Sequence, residues 1–483
     1  MVVWRASLPL ALIGSILSMS TAPPQKPSSS SNPEDHAEST TEEGRRGTNG
    51  RLFDTAPDVP RRAILCSVQL PDVSDQDFTE SLEELGRLAK TLGLHVDGQV
   101  TQKRQSFDSG AYLGPGKIEE LVKVCNASDE KTLVLLDHEV SPSQARNLMD
   151  ACAVYGVFDR TALILEIFHR HARSRQAKLQ VELVRLQYMA PRLRDSGKGG
   201  DRQRGGIGGK GAGESAMELD RRKLRDRVAQ LREEIEALQT EHVTRSSRRQ
   251  GLRRVALCGY TNAGKSTLFH ALTGSDTYIA DKLFATLDTT VRQLFPEPKQ
   301  KILMSDTIGF IRNLPTKLVA SFKTTLDEAL EAGLILHVVD ASDPACERHI
   351  ETTTSVLKEI GAADVPQLVI FNKVDRLPGG ELPAELKANH PEHLALSAYR
   401  PDDVVKLRQA VIDFFDREMQ EVELHVPHAR AQLRGVIFSS ATVLSEESDE
   451  TGTTYRVRVD PIALAQLARD VQVSSKQEKE LKD

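Results

Sequence analysis

The alternation of apolar and polar positions changes rhythm several times along the chain. From Arg61 to about Phe158, short apolar runs alternate with amphipathic stretches. Ala63–Gln69 and Thr132–Leu136 are runs of the first kind, bounded by turn formers as buried strands are. Between them Leu82, Leu85, Leu88 and Leu92 fall on one helical face. The spacing predicts a small α/β domain. Its Gly110–Gly116 stretch, followed by Lys117, lacks the spacing of a phosphate loop, so a tight turn before a helix starting near Lys117 is expected.

The next segment has a heptad rhythm. Leu179, Leu183, Leu186, Ala190 and Leu193 form one seam, and Leu224, Val228, Leu231, Ile235, Leu238 and His242 another. Ser196–Gly213 between them is too glycine-rich for a helix. The pattern predicts an antiparallel helical hairpin with a long tip. Beyond it, Val255–Cys258, Ile302–Met304 and Leu368–Phe371 read as buried strands, and His393–Leu396 as a further apolar run. Near the end, Tyr455–Val459 alternates as a strand does, and Val422–Asp470 reads as a small α/β appendage.

Charge alters this picture in one place. The 483 residues carry a net charge of −6, which by itself points to no nucleic acid. Yet from His169 to Lys210 there are eleven Lys and Arg against three acids. Glycine lets a backbone approach phosphates closely and the cations neutralise them, so the tip, with Arg202, Arg204 and Lys210, is expected to touch RNA backbone. Within Ser196–Gly213 no aromatic residues are interleaved for base stacking.

The five cysteines are scattered and never spaced as CxxC, which argues against a disulfide framework or zinc site and for a reducing cytosol. Leu8 to Met19 resembles a signal-peptide core. The reading preferred here is an upstream start codon ahead of Met19. Thr21 to Pro60 is expected to be a disordered leader, and the tail from Ser474 likewise.

Chemistry-bearing motifs follow the apolar runs. Gly259-Tyr260-Thr261-Asn262-Ala263-Gly264-Lys265-Ser266 matches GxxxxGKS between a strand and a helix, the context a phosphate loop requires. Lys265 would reach the β- and γ-phosphates and the Ser266 hydroxyl would bind Mg²⁺. Asp306-Thr307-Ile308-Gly309, forty residues on, supplies a carboxylate for the metal through water and an amide for the γ-phosphate. Asn372-Lys373-Val374-Asp375 selects guanine, because a carboxylate accepts from N1–H and the 2-amino group; adenine would leave that buried carboxylate unpaired. Ser397-Ala398-Tyr399 reads as the loop over the guanine carbonyl. Thr286, Thr289 and Thr290 all remain open as the threonine that caps the metal. These boxes predict a GTP- and GDP-binding enzyme that hydrolyses GTP.

The sequence also resembles the HflX family of translational GTPases, in the superclass that holds Obg and Era. The resemblance rests on Asp159–Tyr188, on Gly205–Arg222 (GGIGGKGAGESAMELDRR), on LFATLD at Leu283–Asp288 and on DTIGF at Asp306–Phe310. It implies a Ras-like P-loop G domain with a mostly parallel sheet. This is preceded by an α/β domain with the helical hairpin and followed by a small α/β C-terminal domain. The segments would be 1–60 leader, 61–160 α/β, 161–250 hairpin, 251–418 G domain, 419–472 C-terminal domain and 473–483 tail. It implies binding to rRNA of the large (50S) ribosomal subunit, with the tip near the peptidyl transferase centre, and a role in splitting stalled ribosomes.

The resemblance further places the metal threonine at Thr286, within a nucleotide-contacting Phe284-Ala285-Thr286-Leu287-Asp288. It suggests that Asn262 helps hold K⁺, alongside a loop hydrogen-bonding role. Family members usually show GPGETQLE where this chain has Gly211–Glu218, and a proline where it has Thr289. The first bears on the tip contacts and the second loosens switch I.

After DxxG stands Phe310, where many Ras-like enzymes keep a water-orienting glutamine, so slow turnover alone and stimulation by the ribosome are expected. A cytoplasmic monomer is expected. The same residues would also suit a factor in large-subunit assembly, or an RNA-binding regulator with incidental turnover.

Overall fold

The computed structural model describes residues 61–195, 216–247, 253–275, 283–284, 286–287, 289–298, 301–312, 328–417, 419–428, 433–459 and Leu464. The leader, the tail and the glycine tip with Arg202, Arg204 and Lys210 lie outside them, as do Ala285 and Asp288. The chain divides into two compact units. One runs to Arg170 and includes Lys178–Ile235; the other comprises His171–Ala177 and everything from Glu236 onward.

The first unit holds a parallel sheet of β1 (Arg62–Gln69), β2 (His95–Lys103), β3 (Thr132–Leu136) and β4 (Gly156–Asp159), in the order β2-β1-β3-β4. Strands β1 and β3 are buried throughout; β1 buries Arg62, Ser67 and Gln69 along with its apolar run Ala63–Cys66. Strand β2 (HVDGQVTQK) is polar and lies at the sheet edge, so it carries no such run. The helix Asp75–Thr91 is capped by Ser74, whose hydroxyl accepts from the Asp77 amide, and it buries Leu82, Leu85 and Leu88; Leu92 is its C-cap. The next helix, Pro115–Cys125, begins two residues before the expected Lys117, because proline suits a first helical turn whose N–H would be unpaired anyway.

Both heptad segments are helical, Arg175–Asp195 and Ala216–Ser247. Leu179, Leu183, Leu186, Leu231 and Ile235 are buried. Arg227 joins the two helices through two bonds to the Glu182 carboxylate, 2.8 and 3.0 Å long.

In the second unit six strands run in the order β10-β9-β8-β5-β7-β6. They are β5 (Arg253–Gly259), β6 (Thr290–Gln293), β7 (Ile302–Asp306), β8 (Leu334–Asp340), β9 (Gln367–Asn372) and β10 (Leu394–Ala395). All neighbours are parallel except β6 with β7. The face with Val255, Leu257, Leu336 and Val338 packs on Leu268 and Leu272 of the helix Lys265–Thr273 and on Leu407 and Val411 of the helix Pro401–Arg417. The face with Ala256, Cys258 and Ile335 packs on Phe310, Ala329 and Leu357. In such a sheet the loops at the carboxyl ends of the strands form the ligand crevice, and every nucleotide motif sits there.

The chain continues into an antiparallel sheet, β11 (Gln420–Pro427), β13 (Gly452–Val459) and β12 (Thr442–Ser448) in that order, with the helix Leu433–Ser440. Leu424, Val426, Ile437, Tyr455, Val457 and Val459 form its core. Among the described residues no helix is long and apolar enough to cross a membrane.

Candidate functional site

Strand β5 ends at Gly259, where φ is +145° and an added Cβ would stand 2.1 Å from the Val338 carbonyl oxygen of β8. Gly264 has φ +94°, and a Cβ there would meet Asn372 Nδ2 at 2.2 Å. Both positions therefore demand glycine, for conformation and for space. Between them Asn262 also adopts φ 62° and is exposed. The helix Lys265–Thr273 starts directly after Gly264, so its unpaired N–H groups and dipole face the loop, which suits phosphates.

Lys265 is 6% exposed, and its Nζ donates to the carbonyls of Gly259 (3.0 Å) and Tyr260 (2.8 Å). Burial pushes its pKa down to about 8, against the opposing pull of Asp306.

Three oxygens converge beside the lysine. Ser266 Oγ lies 2.8 Å from Thr286 Oγ1, and both donate to Asp306 Oδ2, at 2.8 and 3.0 Å. Asp306 is 3% exposed, its Oδ1 has no hydrogen-bond partner, and burial raises its pKa. A buried carboxylate with an orphaned oxygen beside two hydroxyls matches the all-oxygen preference of Mg²⁺. Of the three threonines left open by sequence, Thr286 is the one at this point. Thr290 begins β6 and pairs with Asp306 through the backbone.

Residues after the carboxylate are zipped to the phosphate loop. Thr307 Oγ1 donates to the Leu257 carbonyl (2.7 Å), the Phe310 amide to Gly259 O (3.1 Å) and the Thr261 amide to Phe310 O (2.7 Å). Gly309 is pressed so close that a Cβ would sit 2.9 Å from Thr261 Cγ2 and 3.0 Å from Lys265 Nζ. The Phe310 ring is 2% exposed and lies in the core rather than in the crevice, so nothing at this position orients water. Ile308, Phe284 and Leu287 are also buried, Phe284 with φ 56°.

Asn372 acts as a brace. Its Nδ2 donates to Ala263 O (2.9 Å) and its Oδ1 accepts from the Ala398 amide (3.0 Å). Lys373, at φ 63°, donates to Asn262 O and to Asp340 Oδ2, both at 2.7 Å. Val374 is buried beneath the loop. Asp375, by contrast, is exposed, which corrects the expectation of a buried carboxylate: shielding from water can come only with the base itself. The Ser397 amide donates to Asp403 Oδ2 (3.0 Å), the Tyr399 amide to Ser397 Oγ (3.3 Å), and the Tyr399 side chain is 72% exposed.

Tyr260 belongs to the phosphate-loop motif, yet its ring stacks on His349 at 3.8 Å with 12° between planes, and its hydroxyl accepts from the Arg312 amide at 2.8 Å.

Two supporting carboxylates escaped the sequence reading, Asp340 behind Lys373 and Asp403 behind Ser397. Asp340 carried a signal: it ends the apolar run Leu334–Val339, as Asp306 ends its own. Asp403 carried none beyond its place in the first turn of a helix.

Known proteins resemble this chain over most of its length. A family model described as 50S ribosome-binding GTPase matches residues 254–373. Models described as GTP-binding GTPase Middle Region and GTP-binding GTPase N-terminal match 171–249 and 79–169. The chain is 48% identical over 454 residues to GTPase HflX of Gluconacetobacter diazotrophicus, covering 87% of this chain and 99% of that protein. It is 45% identical over 383 residues to GTPase HflX of Alkalihalophilus pseudofirmus, covering 79% and 89%. To GTPase HflX of Escherichia coli it is 37% identical over 399 residues, covering 82% and 92%.

Proposed function

The chain belongs to the HflX family of GTPases, and from that premise we propose that it works on the large ribosomal subunit, splitting or rescuing stalled ribosomes in the cytoplasm as a monomer with Mg²⁺ bound. The observation that carries the nucleotide chemistry is the meeting of Ser266 Oγ, Thr286 Oγ1 and Asp306 Oδ2 beside an orphaned Asp306 Oδ1. When bound, the metal would neutralise charge on the β- and γ-phosphate oxygens.

Each residue has its part. Gly259 to Gly264 wrap the phosphates with backbone N–H groups. Lys265 exchanges its two loop carbonyls for phosphate oxygens and stabilises the charge of the transition state. Ser266 and Thr286 would ligate the metal, Asp306 would hold it through water, and the Gly309 amide would contact the γ-phosphate. Asp375 reads the guanine edge, with Asn372 and Lys373 holding the loops on which Ser397, Ala398 and Tyr399 approach the base. Asn262 is a candidate to help hold K⁺.

For the ribosomal role, support comes from the basic glycine tip and from the match of residues 254–373 to a family described as 50S ribosome-binding GTPase. Cations on a glycine loop suit rRNA phosphates. The test measures GTP turnover with and without purified large subunits, and repeats it after Arg202, Arg204 and Lys210 are all replaced by Ala. Clear stimulation is expected, and the variant should bind subunits more weakly with a flatter salt dependence. Turnover already rapid without ribosomes, or an unchanged salt slope, would overturn the reading.

A further inference from the structure

The side chain of Tyr260 does no work on the phosphates in the contacts described above, although the residue sits inside the phosphate loop. We infer that Tyr260 and His349 form a latch on the segment after Gly309, and that the latch sets the rate of turnover rather than the affinity for nucleotide.

Several contacts meet at this residue. Its carbonyl accepts from Lys265 Nζ at 2.8 Å. Its backbone lies in a parallel bridge with Phe310. Its hydroxyl accepts from the Arg312 amide at 2.8 Å. Its ring, 5% exposed, stacks on His349 of the helix Cys346–Glu359 at 3.8 Å and 12°. The phosphate-loop lysine and Phe310, through the Tyr260 backbone, and Arg312 and a helix anchored in the core, through its side chain, are thus tied at one residue.

The helix is a firm backstop. It buries Cys346, Ile350, Thr353 and Leu357 against the sheet. His349 lies one residue from Ile350, and the helix N-terminus is fixed by the Cys346 and His349 amides donating to Asp343 O and Ala345 O. A ring stacked on such an element cannot swing without losing its packing, so the hydroxyl is presented to Arg312 at a fixed point. Arg312 follows Gly309 by three residues. Holding Phe310 and Arg312 therefore fixes the position of the Gly309 amide.

Breaking the latch lowers the share of molecules in which the Gly309 amide is held close beside Lys265. Tyr260 and His349 are positioning residues. The inference rests on the reading of Gly309 as the γ-phosphate contact.

The test compares Tyr260→Phe, His349→Ala and His349→Phe with the parent in steady-state GTP hydrolysis by the full chain, together with GDP and GTP affinities. Tyr260→Phe keeps the stack and removes the acceptor of the Arg312 amide. Its kcat should fall roughly three- to tenfold, the worth of one such hydrogen bond, with KM and both affinities within about twofold. His349→Ala should fall similarly, and His349→Phe, which retains a stacking ring, should recover most of the loss. Unchanged kcat in Tyr260→Phe, or affinity falling in step with kcat, overturns the latch. Gly309→Ala separates the two readings. If it hydrolyses GTP normally, the Gly309 assignment fails. If it is inactive while Tyr260→Phe is fully active, only the latch fails.

Discussion

The hydroxyls of Ser266 and Thr286, twenty residues apart in sequence, lie 2.8 Å from each other and share one oxygen of Asp306 as acceptor. The first of these residues opens the phosphate-loop helix and the second sits in the loop before β6. Burying a carboxylate is costly, and the two hydroxyl hydrogen bonds and the nearby Lys265 charge offset part of that cost.

Thr286→Ala should therefore keep GTP affinity within a few-fold, since the phosphate loop is untouched. Its turnover should drop at least about tenfold, because the loss falls on the closed switch of the transition state. Single-turnover hydrolysis alongside equilibrium binding checks this. Ser266→Ala should instead lose the Mg²⁺ dependence of nucleotide affinity.

Lys265 makes nucleotide binding depend on pH. Burial holds its pKa at about 8, below the ordinary 10.5, whereas bound phosphates favour the charged form. Above about pH 8, binding should take up a proton and GDP affinity should fall. The sign for folding is the reverse of a salt-bridged lysine. With the folded pKa depressed, the contribution to stability is full above 10.5 and lost as pH falls through about 8. The nucleotide-free protein should gain stability between these pH values. Calorimetric proton uptake in two buffers, and denaturation of Lys265→Met as control, would show either effect missing if the assignment is wrong.

Asp375→Asn should weaken GTP relative to xanthosine triphosphate. The amide can donate to the 2-carbonyl of xanthine but cannot accept from the 2-amino group of guanine. Because Asp375 is exposed in the structure, the substitution should leave stability within about 0.5 kcal/mol of the parent. Competition binding with both nucleotides decides it; undiminished GTP preference rules the role out.

Phe310→Ala acts differently from a change at a catalytic position. The ring is 2% exposed among Ala256, Cys258, Ile335 and Leu357, so its removal leaves a cavity and should cost ~3–5 kcal/mol of stability. Phe310→Leu should retain most of that stability and the same slow turnover. Denaturant unfolding of the two variants distinguishes packing from chemistry.

The nucleotide boxes were legible in the chain because each pairs a buried strand with a loop of fixed chemistry. Gly259 and Gly264 illustrate why: a backbone at φ +145° and +94°, with a neighbour about 2 Å from any Cβ, leaves the sequence no other residue to use. The apolar runs at β1, β3, β5, β7 and β9 were visible for a related reason, since strands inside a covered sheet are mostly apolar. Strand β2 was not, because an edge strand can be polar. Strand β8 was overlooked although its run LILHVVD is as apolar as its neighbours, for want of a motif at its end.

Tertiary structure alone decided everything that depends on residues distant in sequence. It brought the hydroxyl of Thr286, the threonine that the family resemblance also nominates, onto Asp306. It turned Phe310 into the core, exposed Asp375, placed Asp340 behind Lys373 and Asp403 behind Ser397, and stacked Tyr260 on His349 eighty-nine positions away. Periodicity and local spacing encode what a segment must be, since conformation and burial act residue by residue. Which side chain meets which is set by strand order and helix packing, and those are properties of the assembled sheet that no single segment carries.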